Sequence, residues 1–165
     1  MEPSAMARLL ALLIPVVLLG GALGSQYVGG LYPCEMCYWQ RWPHGAAILF
    51  ALLAFTSPAD QPRSRNFTLA AALAIAVSGI IGVYHAGVEA RIFEGITTCT
   101  ASGGGLSNAE LLKQILGTPL IRCDQVQWSL FGISLAGWNA IFSLGGAAAI
   151  LFLVRKGMSR KGMTR

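Results

Sequence analysis

Three long runs free of Asp, Glu, Lys and Arg constrain this chain more than any other feature: Leu9–Val28, Phe67–Gly87 and Phe131–Val154. Each reaches the ~20 residues that a helix needs to cross ~30 Å of hydrocarbon. Only 12% of the 165 residues are charged, against about 25% in an average soluble domain. The missing charge argues for a lipid solvent. A β-barrel would instead show alternating segments of ~10 residues. A fourth apolar run, His44–Ser57, is short. It reaches ~20 residues only if its helix begins near Tyr38, which draws Trp39 and Arg41 into the interfacial zone and puts Pro43 in the first turn or just beyond it. The expectation is one all-α membrane domain over residues 1–165. It is a four-transmembrane-helix bundle with spans about 9–28, 38–57, 67–87 and 131–154.

Charge placement orients the bundle. Of the twelve Lys and Arg residues, Arg8, Arg63, Arg65, Arg155, Lys156, Arg160, Lys161 and Arg165 fall at the termini or in the loop near 58–66. Cytoplasmic segments carry this excess, so both termini are expected inside. The loops at about 29–37 and 88–130 then face out. "GALGS", near the end of the first span, has the small residues of a signal-peptide cleavage site, but the apolar run is long for one and retention is the expected outcome.

Every cysteine then faces outward. Cys34 and Cys37 form a C-x-x-C in "PCEMCYWQRWP"; Cys99 and Cys123 lie in the longer outer loop. Disulfides persist outside the cytoplasm and are rare within it. Zinc sites usually repeat a short Cys spacing, whereas Cys99 and Cys123 are separated by 23 residues, so no metal is expected. A Cys34–Cys37 bridge closes too small a loop to add much chain-entropy stabilisation. The spacing is more often a redox device with a lowered thiol pKa. Arg41 follows Cys37 by four residues and shares its helical face. A cation there favours the reactive thiolate, as would the helix N-terminus.

In the longer loop, Ser107 and Glu110 fit a capping box. Leu111, Leu112, Ile115 and Leu116 follow on one face, and Gly117 and Pro119 end the segment. A short amphipathic helix is expected there, lying on the membrane surface or docking a partner. His85 and Glu89 sit near the outer end of the third span; they either polarise a cofactor oxygen or shuttle a proton, or simply bond nearby backbone. His44 reads as an interfacial residue without a chemical role. Trp39, Trp42 and Trp128 read as aromatic belt or as rings that stack on a planar ligand, and glycines in the spans as close helix contacts.

"PCEMCYWQR", the four outward cysteines and "RCDQVQWSLFGISLAGWNA" resemble the disulfide bond formation protein B family, DsbB, of bacterial inner membranes. The likeness spans nearly the whole chain. It implies a multi-pass protein of the inner membrane, with periplasmic cysteines and cytoplasmic termini. The implied activity is a quinone-dependent protein-disulfide oxidoreductase that reoxidises a periplasmic, DsbA-like thioredoxin-fold partner and passes the electrons to a membrane quinone, ubiquinone or menaquinone. Membrane lipid and quinone, and no nucleic acid, complete the expected partners. By similarity, the partner attacks a Cys99–Cys123 disulfide at Cys99, and the displaced Cys123 engages Cys34 and frees Cys37. Arg41 matches the family's quinone-site arginine, with Cys37 and His85 beside the cofactor.

The residues supply their own reason for a cofactor. Disulfide exchange moves oxidising equivalents and creates none, and reoxidising a partner at ~−120 mV requires a stronger terminal oxidant. Tyr38 follows Cys37, so the haem-attachment pattern is missing; no dinucleotide fingerprint occurs either. A lipid-soluble acceptor fits. Pro43 and the glycines after Cys99 leave open a relative with a dedicated substrate. A vitamin K epoxide reductase-like oxidase matches the loops less well. A conduit passing electrons outward needs an inner cysteine that this chain lacks. A disulfide-stapled scaffold would transfer no electrons at all.

Overall fold

The computed structural model describes residues 2–96 and 121–163. Four helices are present among them: α1 (Pro3–Tyr27), α2 (Glu35–Ala54), α3 (Pro62–Glu89) and α4 (Leu135–Met163). Two short strands, β1 (Ser129–Leu130) and β2 (Ile133–Ser134), pair antiparallel just before α4. α1, α3 and α4 are long and apolar enough to cross a membrane. α2 has 20 residues, but Gln40, Arg41, Pro43 and His44 make it less apolar. The expected amphipathic segment at 107–117 and Cys99 lie outside the described residues.

The helix starts follow from local chemistry. Pro3 and Pro62 open α1 and α3, where a missing N–H costs nothing and the fixed φ suits the first turn. α2 starts at Glu35 with Cys34 as its N-cap; the backbone N–H of Cys37 donates to the Cys34 sulfur at 3.4 Å. Pro43 is therefore not in the first turn. It lies inside a continuous helix and withholds only the one bond that residue 43 would give to the carbonyl of Trp39. α4 begins at Leu135 rather than at Phe131. The turn before it places Phe131 at φ 52° and Gly132 at φ 77°, the two positive values of a two-residue hairpin. α3 ends through Arg91 at φ 58°, with the N–H of Ile92 reaching back to the carbonyl of Gly87 at 2.8 Å, a left-handed helix stop.

The core has two halves. Ala7 and Ala11 of α1, Ala47 and Ala51 of α2, Ala71 and Ala72 of α3 and Ala147 of α4 pack with Ile75 and Ile150. Small side chains let helix backbones approach closely, which is how helices associate in lipid. Toward the cysteines, the buried stripe of α2 changes from alanines to His44, Gln40 and Met36. α3 meets α4 through Gly79 and Gly82: a Cβ on Gly82 would sit 3.0 Å from the Ala136 carbonyl oxygen and 3.1 Å from the Ala140 nitrogen.

Backbone cannot yield there as a side chain can, so Gly82→Ala should force α3 and α4 apart. Overpacking costs about 1–3 kcal/mol, offset by roughly 1 kcal/mol of helix propensity. The expected result is a lower unfolding midpoint in a detergent melt. An unchanged or raised midpoint would refute the close contact.

Candidate functional site

The first turn of α2 carries the cysteine pair. The Cys34 and Cys37 sulfurs lie 3.0 Å apart, unbonded, and Cys34 is buried. Cys123 is fully buried against them, packed with Met36 and Val88, and its side chain hydrogen-bonds Cys34. The structure thus brings three of the four expected cysteines together. Arg122 and Asp124 flank Cys123 and pair at the surface, with Nε and Nη2 donating to the two carboxylate oxygens at 2.9 and 2.7 Å. The Arg122 hydrogen bonds hold the Asp124 carboxyl below the usual range.

The two sulfurs of the pair are not equivalent. Hydrogen bonds with Cys123 and Cys37, and then burial, push the Cys34 thiol up. The thiol of Cys34 donates to Cys37 and pulls it down, against the opposing effect of burial; the Arg41 charge adds to the lowering. Both residues precede the stretch from Tyr38 onward that would lie in lipid. Cys37 is accordingly the more acidic thiol of the pair and the better leaving group in exchange.

Arg41 is anchored away from the sulfurs. Its guanidinium donates to the Gln26 side chain and, at 3.1 Å, to the Ala22 carbonyl, both on α1, and it lies 5.1 Å from the centre of the Tyr38 ring. The helical register expected from sequence puts it on the Cys37 side of α2, and α1 fixes its head.

His85 is brought to the pair and held by a chain of amides. Its Nε2 lies 3.5 Å from the Cys34 sulfur and 3.8 Å from a Glu89 oxygen, and the Cys123 backbone also bonds the ring. Its Nδ1 lies 2.8 Å from Gln40 Nε2, which also donates to the Met36 carbonyl at 3.1 Å. A backbone carbonyl only accepts, so the NH2 end of Gln40 is fixed, and His85 Nδ1 must accept from it. The neutral ring therefore carries its proton on Nε2. Cys34, Cys37 and His85 offer donor atoms within 4.8 Å of one another. A ligating histidine, however, presents its other nitrogen as an N–H to an acceptor, and here that nitrogen faces a donor.

The chain continues across the bundle. Gln40 Oε1 accepts from Asn139 Nδ2 at 2.7 Å, and Asn139 Nδ2 also reaches the Ser78 carbonyl at 3.3 Å. Asn139 Oδ1 accepts from Ser143 at 3.1 Å and lies 2.9 Å from His44 Nε2. His44, read from sequence as interfacial, is buried instead, at 3% exposure. Sequence reading passed over Gln40, Ser78, Asn139 and Ser143. Two signals were available: the Met36, Gln40, His44 spacing of four, and the rule that polar residues inside a span face the bundle interior.

A cavity of about 280 Å³ opens beside these groups, lined by Cys34, Cys37, Gln40, Arg41, His44 and His85, with Trp138 and Phe142 among its apolar walls. Among the described residues, three buried side-chain atoms lack a hydrogen-bond partner: Arg41 Nε, His44 Nδ1 and Glu89 Oε2. All three residues line this one cavity. An unsatisfied buried polar group costs about 1–3 kcal/mol, so three such residues around one apolar-walled cavity make it the candidate ligand site. Trp128 also lines it, whereas Trp42 is exposed in the manner of a belt residue.

The fold and site define a helical membrane protein that holds a close cysteine pair against a largely apolar cavity. A family profile described as "Disulfide bond formation protein DsbB" matches residues 4–153. The chain belongs to that family. It is 33% identical over 153 residues to a disulfide bond formation protein B of Methylococcus capsulatus, covering 87% of this chain and 90% of that one. It is 29% identical over 154 residues to one of Chromohalobacter salexigens, covering 91% and 87%. An uncharacterised protein, RP370, of Rickettsia prowazekii is 21% identical over 140 residues, covering 83% and 80%. No solved structure matches.

The asymmetry of the pair should be visible in alkylation. With the reduced protein and iodoacetamide, Cys37 is expected to label at a lower pH than Cys34, because only the thiolate reacts. Cys34→Ala removes the donor and should move the Cys37 profile to higher pH. Coincident profiles, or a Cys37 profile unmoved by Cys34→Ala, would contradict the assignment.

Proposed function

We propose that this chain is a membrane thiol oxidase that reoxidises a DsbA-like, thioredoxin-fold partner outside the cytoplasm and passes the electrons to a membrane quinone. The observation that carries the reading is the shared cavity: Cys37, the more acidic thiol of the pair, lines the same apolar space as Arg41, whose buried Nε is unpartnered. All four helices span the bilayer, α2 with its polar groups turned into the bundle. The excess of Lys and Arg keeps both termini inside and the cysteines outside.

The residues divide the work. Reduced partner attacks Cys99 of a Cys99–Cys123 disulfide, and Cys123 leaves. Cys123 then attacks Cys34 of a Cys34–Cys37 disulfide, and Cys37 departs as thiolate. The partner's second thiol displaces Cys99, Cys99 closes again on Cys123, and Cys34 is freed, so the partner leaves oxidised and the Cys34/Cys37 pair is left reduced; each exchange passes one bond and one leaving group between sulfurs. The packing of Cys123 on Cys34 supports this route, as do the hydrogen bond and positive charge that lower Cys37. A quinone supplies the two-electron, two-proton acceptor. Arg41 would hold a ring oxygen and favour negative charge there, with α1 keeping its guanidinium in place. Trp138, Phe142 and the other apolar walls orient a flat ring and exclude water. The amide chain keeps the His85 Nε2–H turned toward the side where Cys34 and the Cys123 backbone lie.

Purified protein given a reduced DsbA-like donor and ubiquinone or menaquinone analogues should consume quinone. Cys37→Ser should abolish turnover while donor binding persists, and Arg41→Ala should impair quinone use more than donor exchange. Turnover undiminished in Cys37→Ser would overturn the reading. Folded protein that exchanges with the donor yet consumes neither quinone would do the same, and would favour a stapled scaffold or another acceptor.

A further inference from the structure

His44 is the buried titratable group that the relay does not use. Its Nε2 faces Asn139 Oδ1 at 2.9 Å and Ser78 Oγ at 2.9 Å. Ser78 Oγ already donates its one proton to the Gln40 carbonyl at 2.9 Å. Asn139 Oδ1 can only accept, because the Ser78 carbonyl and Gln40 Oε1 fix the amide's NH2 at the other end. Two acceptors thus face His44 Nε2, and that nitrogen must carry the proton. The neutral ring is left with a bare lone pair on Nδ1, which has no partner. His44 lies one helical turn deeper than Arg41 in the cavity wall. Cys37, Arg41 and His44 follow one another at intervals of four and three along α2, on one face.

We infer that His44 is a positioning residue that recognises the reduced form of the ring bound in this cavity, accepting a hydrogen bond from a hydroquinone hydroxyl at Nδ1. The inference rests on the quinone reading above. When Cys34 and Cys37 form their disulfide they lose two electrons and two protons. The ring gains both, and its two carbonyls become hydroxyls. A carbonyl oxygen set against the Nδ1 lone pair repels it; a hydroxyl donates to it. Arg41, a donor only, accommodates an oxygen at the other end in either state. The cavity therefore holds the acceptor more tightly after reduction than before, which raises the potential of the bound ring and draws electrons out of the thiol pair. His44 acts by sorting the redox states of the ligand, and its own proton on Nε2 stays on the bundle side.

The test measures equilibrium binding of a short-chain ubiquinone and its hydroquinone, under anaerobic conditions, to full-length protein carrying Cys37→Ser so that no electrons flow. With His44 present, the hydroquinone should bind more tightly than the quinone. His44→Phe, which keeps the ring shape but has no acceptor at the Nδ1 position, should lower that preference about tenfold, the worth of one buried hydrogen bond. The loss should fall on the hydroquinone side. For a two-electron couple, tenfold corresponds to about 30 mV, readable as a fall in the bound ring's midpoint potential. His44→Leu also lacks an acceptor and should give the same result if the phenylalanine variant does not fold. A preference unchanged in both variants overturns the inference and leaves the quinone reading standing. Failure of both ring forms to bind the Cys37→Ser protein overturns both.

Discussion

The hydrogen-bond chain from His85 through Gln40 to Asn139 is the interaction that the cysteine end of this molecule depends on. It crosses α2, α3 and α4 where apolar helices would otherwise meet. Buried networks of this kind are favourable when fully satisfied and costly when partly so. The polarity of this one is set by backbone. The carbonyls of Met36, Gln40 and Ser78 can only accept, and from those three anchors the orientation of both amides and both imidazoles follows. Helix packing thereby becomes a statement about which nitrogen carries a proton.

That constraint explains why the unsatisfied atoms gather in one place. Gln40 spends its donors on His85 and the Met36 carbonyl, and Asn139 spends its own on Gln40 and the Ser78 carbonyl. What remains unpaired is Arg41 Nε, His44 Nδ1 and Glu89 Oε2, around a single cavity. The other end of the bundle carries no such burden; alanines bring the helices close there and give the polar half a firm base. The reactive cysteines draw on helix geometry as well. Cys34 caps α2 and Cys37 is the third residue of its first turn, so the C-x-x-C spacing is also the spacing of an N-cap and its N–H partner.

Much of this was legible in the sequence, for identifiable reasons. Long uncharged runs announce helices whatever their neighbours, and α1, α3 and α4 fall where the runs fall. Cys37 and Arg41 share a face because four residues make about one turn. Helix ends were harder. The hairpin at Phe131–Gly132 hides inside an apolar run, and a sequence window does not see that Phe131 adopts a positive φ. The start of α2 was placed too late, because the apolar count begins after the cysteines while the capping geometry begins at them. The amide network was invisible for a deeper reason. Asn139 and Gln40 are 99 positions apart, and each alone reads as an ordinary polar residue in a span. His44 was misjudged on the same ground, since its partners come from α3 and α4.

Photolabelling with an azido-quinone analogue in lipid, followed by peptide mapping, tests most directly whether this cavity is where electrons leave the protein. The account predicts label on the cavity walls, on α2 around Arg41 and His44 and on α4 at Trp138 and Phe142, displaced by excess unlabelled quinone. Label confined to outward-facing side chains such as Leu73 and Phe152, and undisturbed by competitor, would contradict it.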